Sequence, residues 1–458
     1  MQATAPLPSR PTRVRHVVLW MTVAVYMITY MDRVVLSATT TDMRKELGFS
    51  LVTMSYVVAA FRWSYALFQV PGGLLGDKIG PRKALAMIVT WWSLFTSLTA
   101  MAWNATVMIG VRFLFGVGEA GAFPIATRSL SRWMLATERG YVQGITHAGS
   151  RLGSAMTPPI VAWMIAAYGW RFPFFAFGAL GIAWAVMWYF YYRDTPDEHA
   201  SVNESERAMI QAGGAARKSA VAAAVPWKRI LSSSTLWFLC VMYFCYNYSL
   251  SVYVDWFPTY LRESRGMTLA QMGFYASLPL LAGTAGDLLG GWCSDIVLRR
   301  TKDLIVARRW VAMAGYLMCA AATVPAALAT SVQVSVAFYC LAFFSLEWTV
   351  GISWAIPLDI GGDFAGSVAA FMNMCGNIGG AISATVLGYM VGAWGWNVPF
   401  LVTGGLCAIA ALFYLKIDAT RRIALAIGPD SIAHVESELR HARYHLTIGL
   451  RRVARVEE

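Results

Sequence analysis

The sequence predicts an all-α membrane protein with twelve transmembrane helices in two six-helix halves. Three observations predict it. Of 458 residues, 57% are hydrophobic and only 14% are charged, whereas a soluble domain carries about 25% charged residues. Twelve apolar stretches are long enough to span ~30 Å of hydrocarbon. One long polar gap separates them six and six.

The first stretch, 17–39, follows a basic start with Arg10, Arg13 and Arg15 and is too long for the apolar core of a signal peptide. Stretches at 51–75, 84–103, 106–128, 140–166 and 172–192 complete a first half, residues 1–192. Their connections around Trp103-Asn104 and Tyr168-Gly169 are very short. Residues 193–234 form a mixed-charge, alanine-rich linker. The second half, 235–416, holds stretches at 235–261, 272–297, 308–329, 333–357, 366–391 and 397–416. In the tail, 417–458, Ile432, Val435, Leu439, Ala442, Leu446, Leu450 and Val453 recur at helical spacing among arginines. That pattern predicts an amphipathic helix on the lipid surface.

The net charge of +12 reports topology and not nucleic acid. With both termini inside, cytoplasmic segments hold about 28 of the 37 Lys and Arg residues, as the positive-inside rule requires. The expected location is the plasma membrane (the inner membrane in a bacterium), with both termini cytoplasmic and the protein monomeric. The seven cysteines are scattered singly through apolar stretches and read as small core residues. No HExxH and no Cys/His cluster occurs, so neither an enzyme nor a metal or other cofactor is expected.

Charged residues inside the stretches mark function, because solvation there is scarce. "TYMDRVVLS" (29–37) puts Asp32 and Arg33 side by side, with Tyr26, Tyr30 and Arg33 along one helical stripe. "VRFLFGVGEAGAFP" (111–124) puts Arg112, Gly116 and Glu119 on one face. Arg62 and Arg151 fall near mid-depth. Four arginines against two carboxylates leave the first half with surplus positive charge, which a cavity receiving an organic anion resolves, arginine being suited to bidentate carboxylate binding.

"GGLLGDKIGPRK" (72–83) closes the second stretch and "GGWCSDIVLRR" (290–300) closes the eighth. This internal repeat supports two homologous halves. Gly73, Asp77, Lys78 and Arg82, with Asp295 and Arg299, are expected to form a conformational latch in which glycine allows close helix packing and the acid meets a basic partner.

"TYMDR", "WSYALFQVPGGLLGD", "RFLFGVGEAGAFP", "ERGYVQGITHAGSRLG", "WFPTYL", "GGWCSD" and "NMCGNIGGAIS" occur in order over residues 20–415. Together they resemble the anion:cation symporter family of the major facilitator superfamily, which includes bacterial hexuronate, glucarate and galactonate transporters. The resemblance implies the major facilitator fold and proton-coupled uptake of an organic anion, with small acids and protons as partners. It implies proton coupling at Asp32 and Glu119, with Arg112 linked to it, and substrate binding by Arg33. Tyr30 and Tyr65 match cavity tyrosines, Ser150 a substrate-contacting position, and Trp354 and Asn373 positions in the second-half cavity. An exporter or exchanger of the same fold is the alternative.

Arg62, Asp255 and Glu347 depart from the family pattern. Two readings stand: an ion pair between the halves, or recognition by Arg62 and Arg151 of a further charged group on the substrate.

Overall fold

The computed structural model describes residues 10–135, 138–213, 226–361 and 364–420. The predicted amphipathic helix of the tail lies outside the described residues. Ten helices among those described are long and apolar enough to cross a membrane. In chain order they are α1 (Val14–Leu47), α2 (counted over Leu51–Gln69 and running on to Ile79), α3 (Pro81–Met101), α4 (Ala105–Trp133), α6 (Phe172–Tyr191), α7 (Ser234–Glu263), α9 (Val306–Leu328), α10 (Val332–Gly361), α11 (Ala365–Trp394) and α12 (Asn397–Tyr414). Two further long helices, α5 (Arg139–Tyr168) and α8 (Leu269–Thr301), occupy the places of the remaining predicted spans.

These two are less apolar for a physical reason. Gln143, His147 and Arg151 dilute α5, while Asp287 and repeated glycines dilute α8. The helices face each other: a Cβ on Gly273 of α8 would stand 2.7 Å from the Ala162 side chain on α5. Of these polar residues, Arg151 and Asp287 meet across the seam, at 3.8 Å. A second seam joins α2 to α11, where Ser55 Oγ accepts the Gly388 N–H at 2.8 Å and Asn377 donates to Gln69 at 3.0 Å.

Proline and packing break the helices where the site needs it. α4 is helical over Ala105–Glu119 and again over Ala122–Trp133. Pro124 has no N–H for the Ala120 carbonyl, and its ring crowds that carbonyl. α7 carries a π-helical turn, Val252–Trp256, just before Pro258; such turns recur at functional positions. α10 breaks after Glu347.

Part of the linker is built into the fold. Glu206, on the short helix Glu204–Ala212, accepts the Val14 and Arg15 backbone N–H groups at 3.3 and 3.1 Å. It supplies the N-terminal cap that α1 lacks from its own residues.

The close helix approach in the glycine motif lies one residue before the expected one. A Cβ on Gly72 would stand 2.8 Å from the Cα of Gly121, whereas one on Gly73 would meet only the Pro124 side chain, at 3.4 Å. Gly72→Val is therefore expected to cost about 1–3 kcal/mol through overpacking, and Gly73→Ala much less. Thermal unfolding of the detergent-solubilised variants checks this; equal midpoints for the two would contradict it.

Candidate functional site

The charged residues expected inside the membrane converge on the middle of the helical assembly. Arg33 on α1 reaches Glu119 at the break in α4: both Nε and Nη2 stand 2.5 Å from Glu119 Oε1. Glu119 is fully buried. An aromatic cage holds the guanidinium, with Tyr65 at 4.7 Å, Tyr30 at 5.0 Å, and Phe61 and Phe123 both at 5.6 Å from its central carbon. Cation–π contact favours the charge there without consuming its hydrogen-bonding edge.

Asp32 and Arg112 lie beside this pair. Arg112 is buried over the rings of Phe115 and Phe61, at 4.2 and 5.2 Å, and its Nε and Nη1 find no hydrogen-bond acceptor among the described residues. Asp32 is fully buried, with both oxygens likewise unpartnered. Its charged neighbours are Glu119 and Arg112, and Trp92 and Thr96 approach it.

The surplus positive charge expected of the first half is met from the second. Arg62 on α2 makes a bidentate pair with Asp255, in the π turn of α7, with Nε–Oδ2 at 3.0 Å and Nη2–Oδ1 at 2.8 Å. Ser251 donates to the same carboxylate at 2.6 Å. Arg151 on α5 reaches Glu347 on α10 at 2.5 Å and Asp287 on α8 at 3.8 Å. Tyr246 donates to Glu347 at 2.9 Å, its ring stacks on Tyr243, and Tyr243 accepts the Trp354 indole N–H at 2.8 Å.

Other expected residues stand apart. Ser150 is buried and donates to the His147 carbonyl at 2.7 Å, which occupies its one donor and leaves its oxygen as an acceptor. Asn373 is half-buried on α11 and makes no side-chain hydrogen bond among the described residues. The Asp77 side chain lies outside the described ones. Arg82 donates to the Tyr189 carbonyl at 2.9 Å, Lys78 is exposed, and Arg299 folds back on the Asp295 carbonyl. Asp295 pairs with Arg308, at 3.4 Å, which also pairs with Asp359 at 3.0 Å.

Sequence reasoning missed Asp287 and Arg308, and also His147, which interacts electrostatically with Asp287 and Arg151. It also missed a repeat. "YMD" at 30–32 in α1 is echoed by "YVD" at 253–255 in α7, and Glu119 in the fourth helix by Glu347 in the tenth.

Hydrogen bonds and ion pairs that join the first six helices to the last six, among the described residues, lie mid-membrane or toward the end opposite the linker. At that far end α1 and α7 exchange charges reciprocally: Arg44 pairs with Glu263 at 2.5 Å, and Arg262 with Asp42 at 2.7 Å. Tyr56 and Tyr389 also meet there, at 2.5 Å.

Ten membrane-length apolar helices among the described residues, around a buried charged centre, make this a polytopic membrane protein. The chain belongs to the Major Facilitator Superfamily, whose family model matches residues 22–384. It is 38% identical over 434 residues to the "Probable sulfoacetate transporter SauU" of Cupriavidus necator, covering 94% of this chain and 98% of that protein. It is 33% identical over 436 residues to the "Probable galactarate/D-glucarate transporter GudP" of Bacillus subtilis, covering 91% and 94%. The fold also matches the crystal structure of a bacterial homolog of the human lysosomal transporter Spinster, inward-facing and unoccupied. That match has a TM-score of 0.74 at 16% identity and covers 90% of this chain and 98% of the other.

The Arg62–Asp255 pair yields a stability prediction. Removing one partner leaves an uncompensated buried charge, so Arg62→Gln or Asp255→Asn alone is expected to cost about 3–5 kcal/mol. The double variant should cost clearly less than the sum of the two. A double-mutant cycle on thermal unfolding measures this, and additive losses would rule the pair out as a tether.

Proposed function

We propose that this protein is a secondary active transporter that takes up a small organic anion together with protons by alternating access. The observation that carries the reading is the buried Arg33–Glu119 pair inside its aromatic cage. An arginine held by tyrosine and phenylalanine faces keeps a planar edge for an acid. Its resident partner is itself a carboxylate, so a substrate acid can take the place of Glu119 once Glu119 is protonated. The printed names of the similar proteins, for sulfoacetate and for galactarate or glucarate, support acids of that kind as substrates.

Residues 1–192 and 235–416 act as two bodies, with the linker end and both termini facing the cytoplasm. The reciprocal α1–α7 pairs then close the outer side. In the outward-open state Asp32 and Glu119 take up protons, and the anion docks on Arg33 between Tyr30 and Tyr65. Neutralising the charges lowers the desolvation barrier to occlusion. The bodies rock, the latch around Asp77 and Asp295 rearranges, and anion and protons leave inward. Arg112, which interacts electrostatically with both acids and whose Nε and Nη1 have no hydrogen-bond acceptor among the described residues, links their protonation.

Uptake into proteoliposomes tests the reading. An inward proton gradient should accelerate uptake of sulfoacetate or glucarate. Arg33→Ala should lower it at least tenfold, about 1.4 kcal/mol of lost interaction. Glu119→Gln should lose gradient-driven accumulation while keeping exchange of substrate for substrate. Uptake indifferent to the gradient, or undiminished in Arg33→Ala, would sink the proposal.

A further inference from the structure

We infer that Arg151 is a second acid-binding subsite, occupied in the substrate-free protein by Glu347, and that it makes the carrier selective for compact dianions. The inference rests on the organic-anion reading above and names the substrate class within it.

Three features point to Arg151. First, it shares a tyrosine with Arg33: the Tyr30 ring lies 5.0 Å from the Arg33 guanidinium carbon and 6.0 Å from that of Arg151. The two guanidiniums are therefore no more than about 11 Å apart. A guanidinium–carboxylate pair at normal hydrogen-bond lengths takes up roughly 4 Å between carbons. Two such pairs leave at most about 3 Å between the acid centres along that line, a span that suits a short backbone with an acid at each end, or a longer one that bends.

Second, the Arg151 contact is incomplete. Arg62 is bound bidentately by Asp255, and Ser251 also supports that carboxylate. Arg151 meets Glu347 through Nη2, at 2.5 Å, while its buried Nε has no hydrogen-bond acceptor among the described residues. Asp287 stands 3.8 Å from that Nε, beyond hydrogen-bond reach. An arginine buried to this degree with an unused donor suits a bidentate acid better than the ligand it has.

Third, Glu347 has somewhere to go. Tyr246 donates to its other oxygen at 2.9 Å, so the carboxylate keeps a partner when Arg151 lets go. Arg33 and Arg151 thus each hold a protein acid at a helix break, Glu119 in α4 and Glu347 in α10. A dianion replaces both, whereas a monoanion replaces one and leaves the other arginine as it was.

Equilibrium binding to the purified full-length protein in detergent, by calorimetry, tests this with matched probes: sulfoacetate against acetate, and glucarate against gluconate. The dianions should bind wild type at least tenfold more tightly than their partners. Arg151→Gln should erase that preference while monoanion affinity stays within about threefold. Should that variant fail to fold, Glu347→Gln provides the second arm: a neutral amide competes less for Arg151, so dianion affinity should rise several-fold with monoanion affinity unchanged. Equal binding of both classes to wild type, or a preference that survives Arg151→Gln with Glu347→Gln without effect, overturns the subsite but leaves an anion transporter at Arg33. Binding of neither class overturns both readings.

Discussion

A guanidinium inside a membrane has to be met by a carboxylate or an aromatic face, and that constraint organises this molecule. Arg33, Arg62 and Arg151 each find an acid, and Arg112 lies over aromatic rings. Two of the three ion pairs reach from the first six helices into the last six. The same contacts that satisfy buried charge therefore hold the two sets together. A solute that changes who pairs with whom changes the cost of separating them.

The pairs are not equivalent. Arg62 and Asp255 use both ends of each group, and a serine completes the carboxylate, so this contact behaves as a tether. Arg33 and Arg151 are held more loosely. Arg33 reaches one oxygen of Glu119 and leaves the other without a hydrogen bond, and Arg151 leaves Nε unused. In a low-dielectric interior a partly satisfied pair is the place where exchange is cheapest. In the proposed cycle the Arg62–Asp255 contact keeps register while those of Arg33 and Arg151, beside the aromatic cage, exchange.

Much of this was legible in the chain. Helix placement follows from apolar runs, and Arg33 and Glu119 stand out because charged groups are rare in such runs, whereas tyrosine is common in them and only the family resemblance singles out Tyr30 and Tyr65 as cavity residues. Partners were harder to read. Asp255 and Glu347 are visible as acids, yet their pairing with Arg62 and Arg151 depends on how α2, α5, α7 and α10 pack, which periodicity within one helix does not encode. Asp287 was hidden in a glycine-rich helix whose modest apolarity reflects the seam it lines. Ser150 donates its hydroxyl proton to its own helix in this conformation, which the sequence alone does not reveal. The close glycine contact fell at Gly72 because the kink before Pro124 brings Gly121 against it, a geometry that spacing alone does not show.

The most direct test of the central claim is a structure of the protein with sulfoacetate or glucarate bound. The account predicts an acidic group of the ligand on Arg33 between Tyr30 and Tyr65, with Glu119 moved beyond hydrogen-bond distance of the guanidinium. A ligand bound elsewhere while the Arg33–Glu119 contact stays closed would contradict it.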